Sequence, residues 1–368
     1  MQAASRSDSI PRPVILSKDT PLSANATGRP WLSILIPVYN VLPYLEDCLS
    51  SVFSQTGDDG GIELILLDDR STDGSADLAE ALIARHSGGA RLLRHADNRG
   101  LSAARNSMIE EAGGDYVWFL DSDDAILPGG IAALRDIVGS CRPDVVLCDY
   151  VRDDGKICAT FDGPARQFQL GTEALVAGVF ARRRLHAWSR VWKREVLDGV
   201  RFPEGVYFED MATIPRLMLN ARSYYYAAQP WIYYRSRPGS ILAEIRADFD
   251  YRRNDELADA LAGFREDLIR AIPDVSMETR RLVALFLARE YVKLAKRLMR
   301  VHRRQRSLHL LRGDLNRYRE KMEGASPLPF AQIAARHARD GQMVRWAALR
   351  FFMALSQRSG WLIRKPAI

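Results

Sequence analysis

Asp121-Ser122-Asp123 follows directly on the apolar run Tyr116-Val117-Trp118-Phe119-Leu120. Alternate carboxylates leaving a buried strand can point into one crevice and offer hard oxygen ligands to Mg²⁺ or Mn²⁺. Such an ion keeps several waters and meets a diphosphate through one or two carboxylates. A solvated acidic turn capping the next helix is the competing reading, and the position after a strand favours the first. Asp68-Asp69 closes a second apolar run, Glu63 to Leu67. A carboxylate there can accept the ring N–H of a base or a ribose hydroxyl, while Asp73 and Ser75 beyond it read as helix caps. Tyr39 ends a third run and can stack on a base or belong to the core. Glu209-Asp210 offers two carboxylates that could take a proton from an attacking hydroxyl. They could equally complement a helix N-terminus, and the two roles are compatible.

These residues need elements that hold them. Leu32 to Val38 is a short β-branched apolar run, the pattern of a buried strand. Leu45, Cys48, Leu49, Val52 and Phe53 follow at helical spacing. Turn residues from Asp68 to Ser75 lead into a helix predicted from Ala76 to about Arg85. Arg91–Arg94 reads as a short strand, Leu101–Ala112 as a helix, Tyr116–Leu120 as a strand, Gly129–Val138 as a helix and Val145–Cys148 as a strand. Strands alternating with helices predict an α/β layer with a largely parallel sheet. Ligands gather at the carboxyl ends of such strands. Three predicted strands end in polar clusters there: Tyr39-Asn40, Asp68-Asp69 and Asp121 to Asp124.

In order and spacing, several segments resemble the signatures of family 2 glycosyltransferases. They are Ile36-Pro37-Val38-Tyr39-Asn40, Leu67 to Ser75, Asn98-Arg99-Gly100-Leu101-Ser102-Ala103-Ala104-Arg105-Asn106, Phe119 to Asp124, and Arg201 to Asp210. The resemblance covers about Leu32 to Ile241 and departs from the family pattern at Arg70, where the family has Gly. It implies a GT-A fold, a mixed and mostly parallel sheet flanked by helices, and an inverting, metal-dependent transfer of sugar from a nucleoside diphosphate, UDP foremost. Carried over by motif, Pro37, Tyr39 and Asp69 would hold the base. Asp121, with Ser122 beside it, would meet the ribose or the metal's water shell, Asp123 would be the direct metal ligand, and Arg105 would lie near the phosphates. The same match selects Asp210 over Glu209 as general base. Trp188 falls where related sequences carry an aromatic on the acceptor side; a core position is its other reading, and His186 reads as structural. Arg235, Arg237 and Ser240 could close over the diphosphate from a mobile loop or remain solvated.

Composition narrows the alternatives. Hydrophobic residues at 47% and charged residues at 27% exclude wholesale disorder. Net charge is +6, and nine Lys or Arg residues against the single acid Glu290 fall between Arg289 and Arg312, so the excess is local and nucleic acid is not expected. The four cysteines have no zinc spacing, which suits a reducing, cytoplasmic compartment. Residues 1–29 read as a flexible leader without a secretory signal, 30–241 as the catalytic domain and 242–368 as a helical, basic C-terminal region. In that region Lys293, Lys296, Arg297, Arg300, Arg303 and Arg304 form either a solvated face or one attracted to an anionic membrane surface, which would bring the enzyme to a lipid-linked or polysaccharide acceptor on the inner face of the cytoplasmic membrane. Trp346, Leu349, Phe352 and Met353 share a helical face, with Phe351, Trp361, Leu362 and Ile363 adding apolar bulk. That face suits interfacial binding or packing on the catalytic domain. Two rival functions are a sugar-nucleotide pyrophosphorylase and a non-catalytic docking partner in an assembly complex. The first needs a Gly-rich basic loop after the first strand, and Ile36 to Pro43 has no Gly, Lys or Arg; the second would be favoured by loss of the carboxylates, which are present.

Overall fold

A computed structural model of the chain describes residues 28–56, 61–86, 89–237, 250–305 and 307–357. Ser240, Ile241, Trp361, Leu362, Ile363 and nearly all of the expected leader lie outside the described residues. Strand β1 (Leu32–Val38) is buried at every position. Its side chains alternate between faces, as the two-residue strand period requires. Ile34, Ile36 and Val38 join Leu45, Cys48, Leu49 and Val52 of helix α1 (Leu42–Thr56). Leu35 joins Ala104 and Met108 of α3 (Leu101–Glu111) on the other side. β1 pairs in parallel with β2 (Ile62–Asp68) on one flank and β4 (Tyr116–Phe119) on the other. β3 (Gly89–Arg94) adds to β2, also in parallel. Helix α2 (Ser75–Ala84) makes the crossover between β2 and β3. The carboxyl ends of β1, β2 and β4 therefore share one edge of the sheet.

The second half is mixed. β5 (Ala125–Ile126), α4 (Gly130–Cys141), β6 (Val145–Arg152), the short β7 (Ile157–Cys158) and β8 (Phe168–Leu170), α5 (Thr172–Arg182), β9 (Arg190–Lys193), α6 (Glu209–Asn220) and β10 (Ser223–Tyr234) follow in order. The sheet runs β3-β2-β1-β4-β9-β6-β10-β5. β9 lies antiparallel between β4 and β6, whereas β10 runs parallel to β6. The sequence pattern did not expose β9 or β10. β9 is only four residues long, and β10 carries Pro230 and an Ala228 at φ 50, where its register against β6 shifts.

Helices follow over Tyr251–Asp259, Phe264–Ala271, Met277–Gln305, Leu308–Gly324, Phe330–Arg339 and Met343–Gln357. Their core is continuous with one face of the sheet: the Phe180 ring of α5 lies 5.7 Å from Phe264 and 5.5 Å from Phe286. Leu349, Phe352 and Met353 are buried in this helical core with Trp346 packed against it. The described part of the apolar face read as a membrane-binding candidate thus packs internally, and among the described residues of that group only Phe351 is exposed, at 52%. Among the described residues no helix is long and apolar enough to cross a membrane.

Gly178 of α5 lies against Phe161, whose ring is wedged beside Tyr224 and Tyr226 at 5.2 and 5.3 Å. A Cβ at Gly178 would fall within the ring's van der Waals shell. Ala for Gly inside a helix ordinarily gains about 1 kcal/mol. Here overpacking at ~1–3 kcal/mol reverses the sign. Gly178→Ala is expected to lower the thermal midpoint; an unchanged or higher midpoint would mean that Phe161 moves aside freely.

Candidate active site

The edge shared by β1, β2 and β4 is pinned by side chain to backbone bonds. Val41 N–H donates to Ser75 Oγ at 2.9 Å, Leu42 N–H to Asp73 at 3.0 Å, and Thr72 N–H to Asn40 Oδ1 at 2.9 Å. Arg70, the departure from the family pattern, takes a left-handed φ of 67. Glycine adopts that conformation without steric cost, while another residue carries some strain. Asp69 is 3% exposed. Its carboxylate accepts from the backbone N–H groups of Arg99 (2.9 Å) and Gly100 (2.7 Å), and its Oδ1 lies 2.7 Å from His95 Nδ1. It thereby anchors the N-terminus of α3. Tyr39 stands 48% exposed at the crevice, whereas Pro37 and Ser122 are buried.

The anchored helix carries Arg105, which is 1% exposed and is the centre of the site. Its guanidinium donates to Asp121 Oδ1 at 3.1 Å, Glu209 Oε1 at 3.1 Å and Asp210 Oδ1 at 2.8 Å. It also packs over the Phe202 and Phe119 rings at 5.2 and 5.9 Å. The neighbouring Asn106 exchanges two 2.9 Å bonds with the backbone of Phe202 and so fixes the approach to α6. Glu209 and Asp210 form the first turn of α6, and Asp210 Oδ2 accepts the backbone N–H of Ala187 at 3.0 Å. The 184–189 loop that supplies this N–H is held from below by Arg190, fully buried in β9. Arg190 donates to the carbonyls of His186 and Arg184 and to Ser189 Oγ.

One cation facing three carboxylates leaves the cluster acid-rich, and the titration shifts reflect this. Burial would depress Arg105, but Asp210, Asp121 and Glu209 overcome it and hold the guanidinium above its ordinary range. Burial raises Asp121 to about 6; Arg105 opposes the shift, and Asp123 and Asp210 add to it. Glu209 is pushed up to about 8 by burial and by Asp210, against Arg105.

Ligand oxygens of Asp121, Asp123 and Asp124 lie within 4.8 Å of one another. Asp124 was not among the residues singled out from sequence. It is 1% exposed, its Oδ1 accepts Arg235 N–H at 2.9 Å, and its Oδ2 has no partner. A buried orphan carboxylate oxygen beside two further carboxylates is a donor set that suits a hard divalent cation. Arg237 reaches the same cluster through Asp123 Oδ2, and the Arg235 and Arg237 guanidiniums both lie over Tyr44, at 5.3 and 5.6 Å. Trp188 is buried at 4%; its ring stacks on His186 at 4.4 Å and on Tyr234 at 5.6 Å, with Tyr150 edge-on at 5.0 Å. Burial and the charges of Arg190 and Arg184 depress His186 to about 3, so this imidazole is neutral.

A parallel half-sheet whose strand ends meet an acidic cluster, extended by an antiparallel strand and closed by helices, defines a GT-A layer. Residues 33–189 match the model of the glycosyl transferase family 2. Glycosyltransferase GlyG of Streptococcus pneumoniae is 29% identical over 269 residues, covering 69% of this chain and 86% of the relative. The uncharacterized glycosyltransferase YibD of Escherichia coli is 31% identical over 216 residues, covering 56% of this chain and 60% of the relative. The Staphylococcus aureus TarS 1–349 structure in complex with UDP-GlcNAc superposes with a TM-score of 0.65 at 17% identity, over 88% of this chain and 91% of that one. Residues 33–189 thus carry a domain that matches family 2 glycosyltransferases, within a GT-A fold.

Glu209 carries a pH signature. A carboxyl whose folded pKa lies above its unfolded value binds its proton more tightly in the folded state. Its stabilising contribution is complete below about 4.5 and is lost as pH rises through about 8. Without added metal, the thermal midpoint is expected to fall over that window, and Glu209→Gln should flatten the fall. Equal slopes in the two proteins would show that Glu209 does not hold the proton.

Proposed function

We propose that the chain transfers a sugar, with inversion, from a nucleoside diphosphate donor, most simply UDP-linked, to a hydroxyl of a polysaccharide or lipid-linked acceptor. The observation that carries this reading is the Arg105 guanidinium, which bonds both the acidic cluster after β4 and the carboxylate opening α6. Metal-ligating groups and a base from distant parts of the sequence therefore flank one crevice. Donor binding falls to the ends of β1 and β2. Tyr39 offers an exposed ring for stacking. Asp69, with about four lone-pair positions on its carboxylate and three of its contacts assigned, keeps an acceptor position for a ring N–H.

Asp123, with Asp121 and Asp124, would hold Mg²⁺ or Mn²⁺, which as a Lewis acid neutralises charge growing on the departing diphosphate. Arg237, bonded to Asp123, brings a cation to the same place from the loop after β10. Asp210 takes the proton of the acceptor hydroxyl as it attacks. The bonds from Ala187 and Arg105 fix the plane of its carboxylate, which remains partly open to solvent. Trp188 contributes as part of an aromatic wall with His186, Tyr150 and Tyr234. Membrane attraction is ascribed to the exposed row Lys293, Lys296, Arg300 and Arg303 on the 277–305 helix, which would place the enzyme on the cytoplasmic face of a membrane.

Two substitutions separate these roles. Asp123→Asn is expected to abolish metal-dependent transfer, measured as nucleotide release with acceptor at saturating Mn²⁺; undiminished turnover would refute the metal role. Because Asp121 keeps its proton up to about 6, calorimetric metal affinity in the parent protein should weaken as pH falls below that value. Asp210→Asn should keep donor affinity and lose transfer by about 10²–10⁴-fold, the span of a general base. Near-normal transfer in that variant would remove Asp210 from the role.

A further inference from the structure

His95 was not among the residues singled out from sequence, yet its ring is held at both nitrogens. It stands just past β3, and its side chain is 10% exposed. Nδ1 lies 2.7 Å from Asp69 Oδ1, and Nε2 lies 3.0 Å from Ser107 Oγ. A carboxylate can only accept, so Nδ1 carries a proton and donates it to Asp69. Ser107 meets Nε2 as donor or as acceptor, and either way the ring is kept from turning. Anchoring the chain does not require this. The backbone N–H of His95 already donates to the Asp68 carbonyl at 3.0 Å. Asp69 holds the start of α3 through the N–H groups of Arg99 and Gly100, without the imidazole. The ring's own effect therefore falls on the Asp69 carboxylate.

That effect is directional. Oδ1 receives two donors, His95 Nδ1–H and Arg99 N–H, while Oδ2 receives one, Gly100 N–H at 2.7 Å. A carboxylate offers about four acceptor positions, shared between its two oxygens. Oδ1 is thus filled, and the position left is on Oδ2. A buried acceptor of this kind favours a partner that presents N–H and rejects one that presents a second lone pair. We propose that His95, backed by Ser107, is a positioning residue for recognition of the donor's base. It fills Oδ1, so that only Oδ2 of Asp69 meets the base, and the aimed oxygen selects the ring N–H of uracil over the bare ring nitrogen of cytosine. Ser107 lies two residues beyond Arg105 on α3, so the clamp also ties the base end of the crevice to the helix that carries the buried guanidinium. The proposal rests on the nucleoside diphosphate reading given above.

The test is calorimetric titration of the full chain with UDP and with CDP at one fixed Mn²⁺ concentration. CDP keeps the ribose and diphosphate contacts and so reports on those alone. The variants are His95→Leu, His95→Asn and Ser107→Ala. The amide nitrogen of Asn stands as many bonds from the backbone as Nδ1 and can donate the same bond. His95→Leu is expected to weaken UDP binding about tenfold or more, as loss of a hydrogen bond to a charged group does, and to leave CDP binding unchanged. His95→Asn should restore most of the UDP affinity. Ser107→Ala should cost about two- to tenfold, again for UDP only. A residue that merely held the fold would lower both affinities together. Equal losses for the two nucleotides, wild-type UDP affinity in His95→Leu, or a His95→Asn variant no better than His95→Leu would each overturn the proposal. If His95→Leu fails to fold, Ser107→Ala alone must show the loss confined to UDP. A wild-type chain that binds neither nucleotide would count against the nucleoside diphosphate reading and this proposal together, whereas UDP binding with unselective losses would remove this proposal alone.

Discussion

The site depends on burying one guanidinium among three carboxylates. Taking a charge out of water costs several kcal/mol per ion, and removing one partner of such a cluster strands the others. Arg105 is therefore not exchangeable for an apolar residue of the same volume. Its fork spans the end of β4 and the start of α6, two places the sheet topology does not otherwise join. Its Nε–H finds no acceptor, and burial pushes Asp121 and Glu209 toward their neutral forms. An arrangement that leaves a donor unpaired and crowds like charges is poor stabilisation. It makes sense as positioning: the carboxylates of Asp121, Glu209 and Asp210 are held around one guanidinium in a fixed arrangement.

Around that cluster the chain builds a further layer of buried polar groups that hold its elements in place. Asp69 grips the N-terminus of the helix bearing Arg105, and Asn106 ties the same helix to the segment before α6. Arg190 fastens the loop whose Ala187 N–H orients Asp210. Each is a buried polar group aimed at backbone, where its bonds cannot rotate away. Sites held this way keep their geometry through other residues' packing. The Asn98–Asn106 signature accordingly has a structural logic: Asn98, Arg99 and Gly100 are received by Asp69, and Arg105 and Asn106 reach outward to the site.

The parallel half of the sheet was legible because β1, β2 and β4 are short, mostly apolar runs that end in turn chemistry, the pattern a buried strand leaves in sequence. The convergence of Asp121 and Asp210 was legible only through the order of the motifs. No local pattern relates two carboxylates that a buried arginine joins. Asp124 escaped because its signal is burial: next to Asp123 it reads as one more acid in a turn, and only the fold turns it inward. Arg190 escaped for the same reason, since a lone Arg in a four-residue strand looks solvated until β4 and β6 close over it. The aromatic position was ambiguous in principle, as a Trp that walls a site and one that fills a core have the same neighbours in sequence.

The C-terminal helices bear on the chemistry through α5 and α6. Sheet strands alone leave α6 exposed on the side away from Arg105. The 264–271 helix packs there, with Arg216 of α6 bonded to Asp267. The 277–305 helix meanwhile lies along α5, whose C-terminal cap opens the loop that orients Asp210. Both supports of Asp210 are thus braced by a region whose own sequence carries none of the motifs quoted above. A helical layer free to drift would let α6 and the 184–189 loop move independently, and a shift of about 1 Å in a positioned group can cost 10²-fold in rate. The continuous core from Phe180 through Phe264 and Phe286 opposes that drift, so the C-terminal helices help to hold the geometry around Asp210.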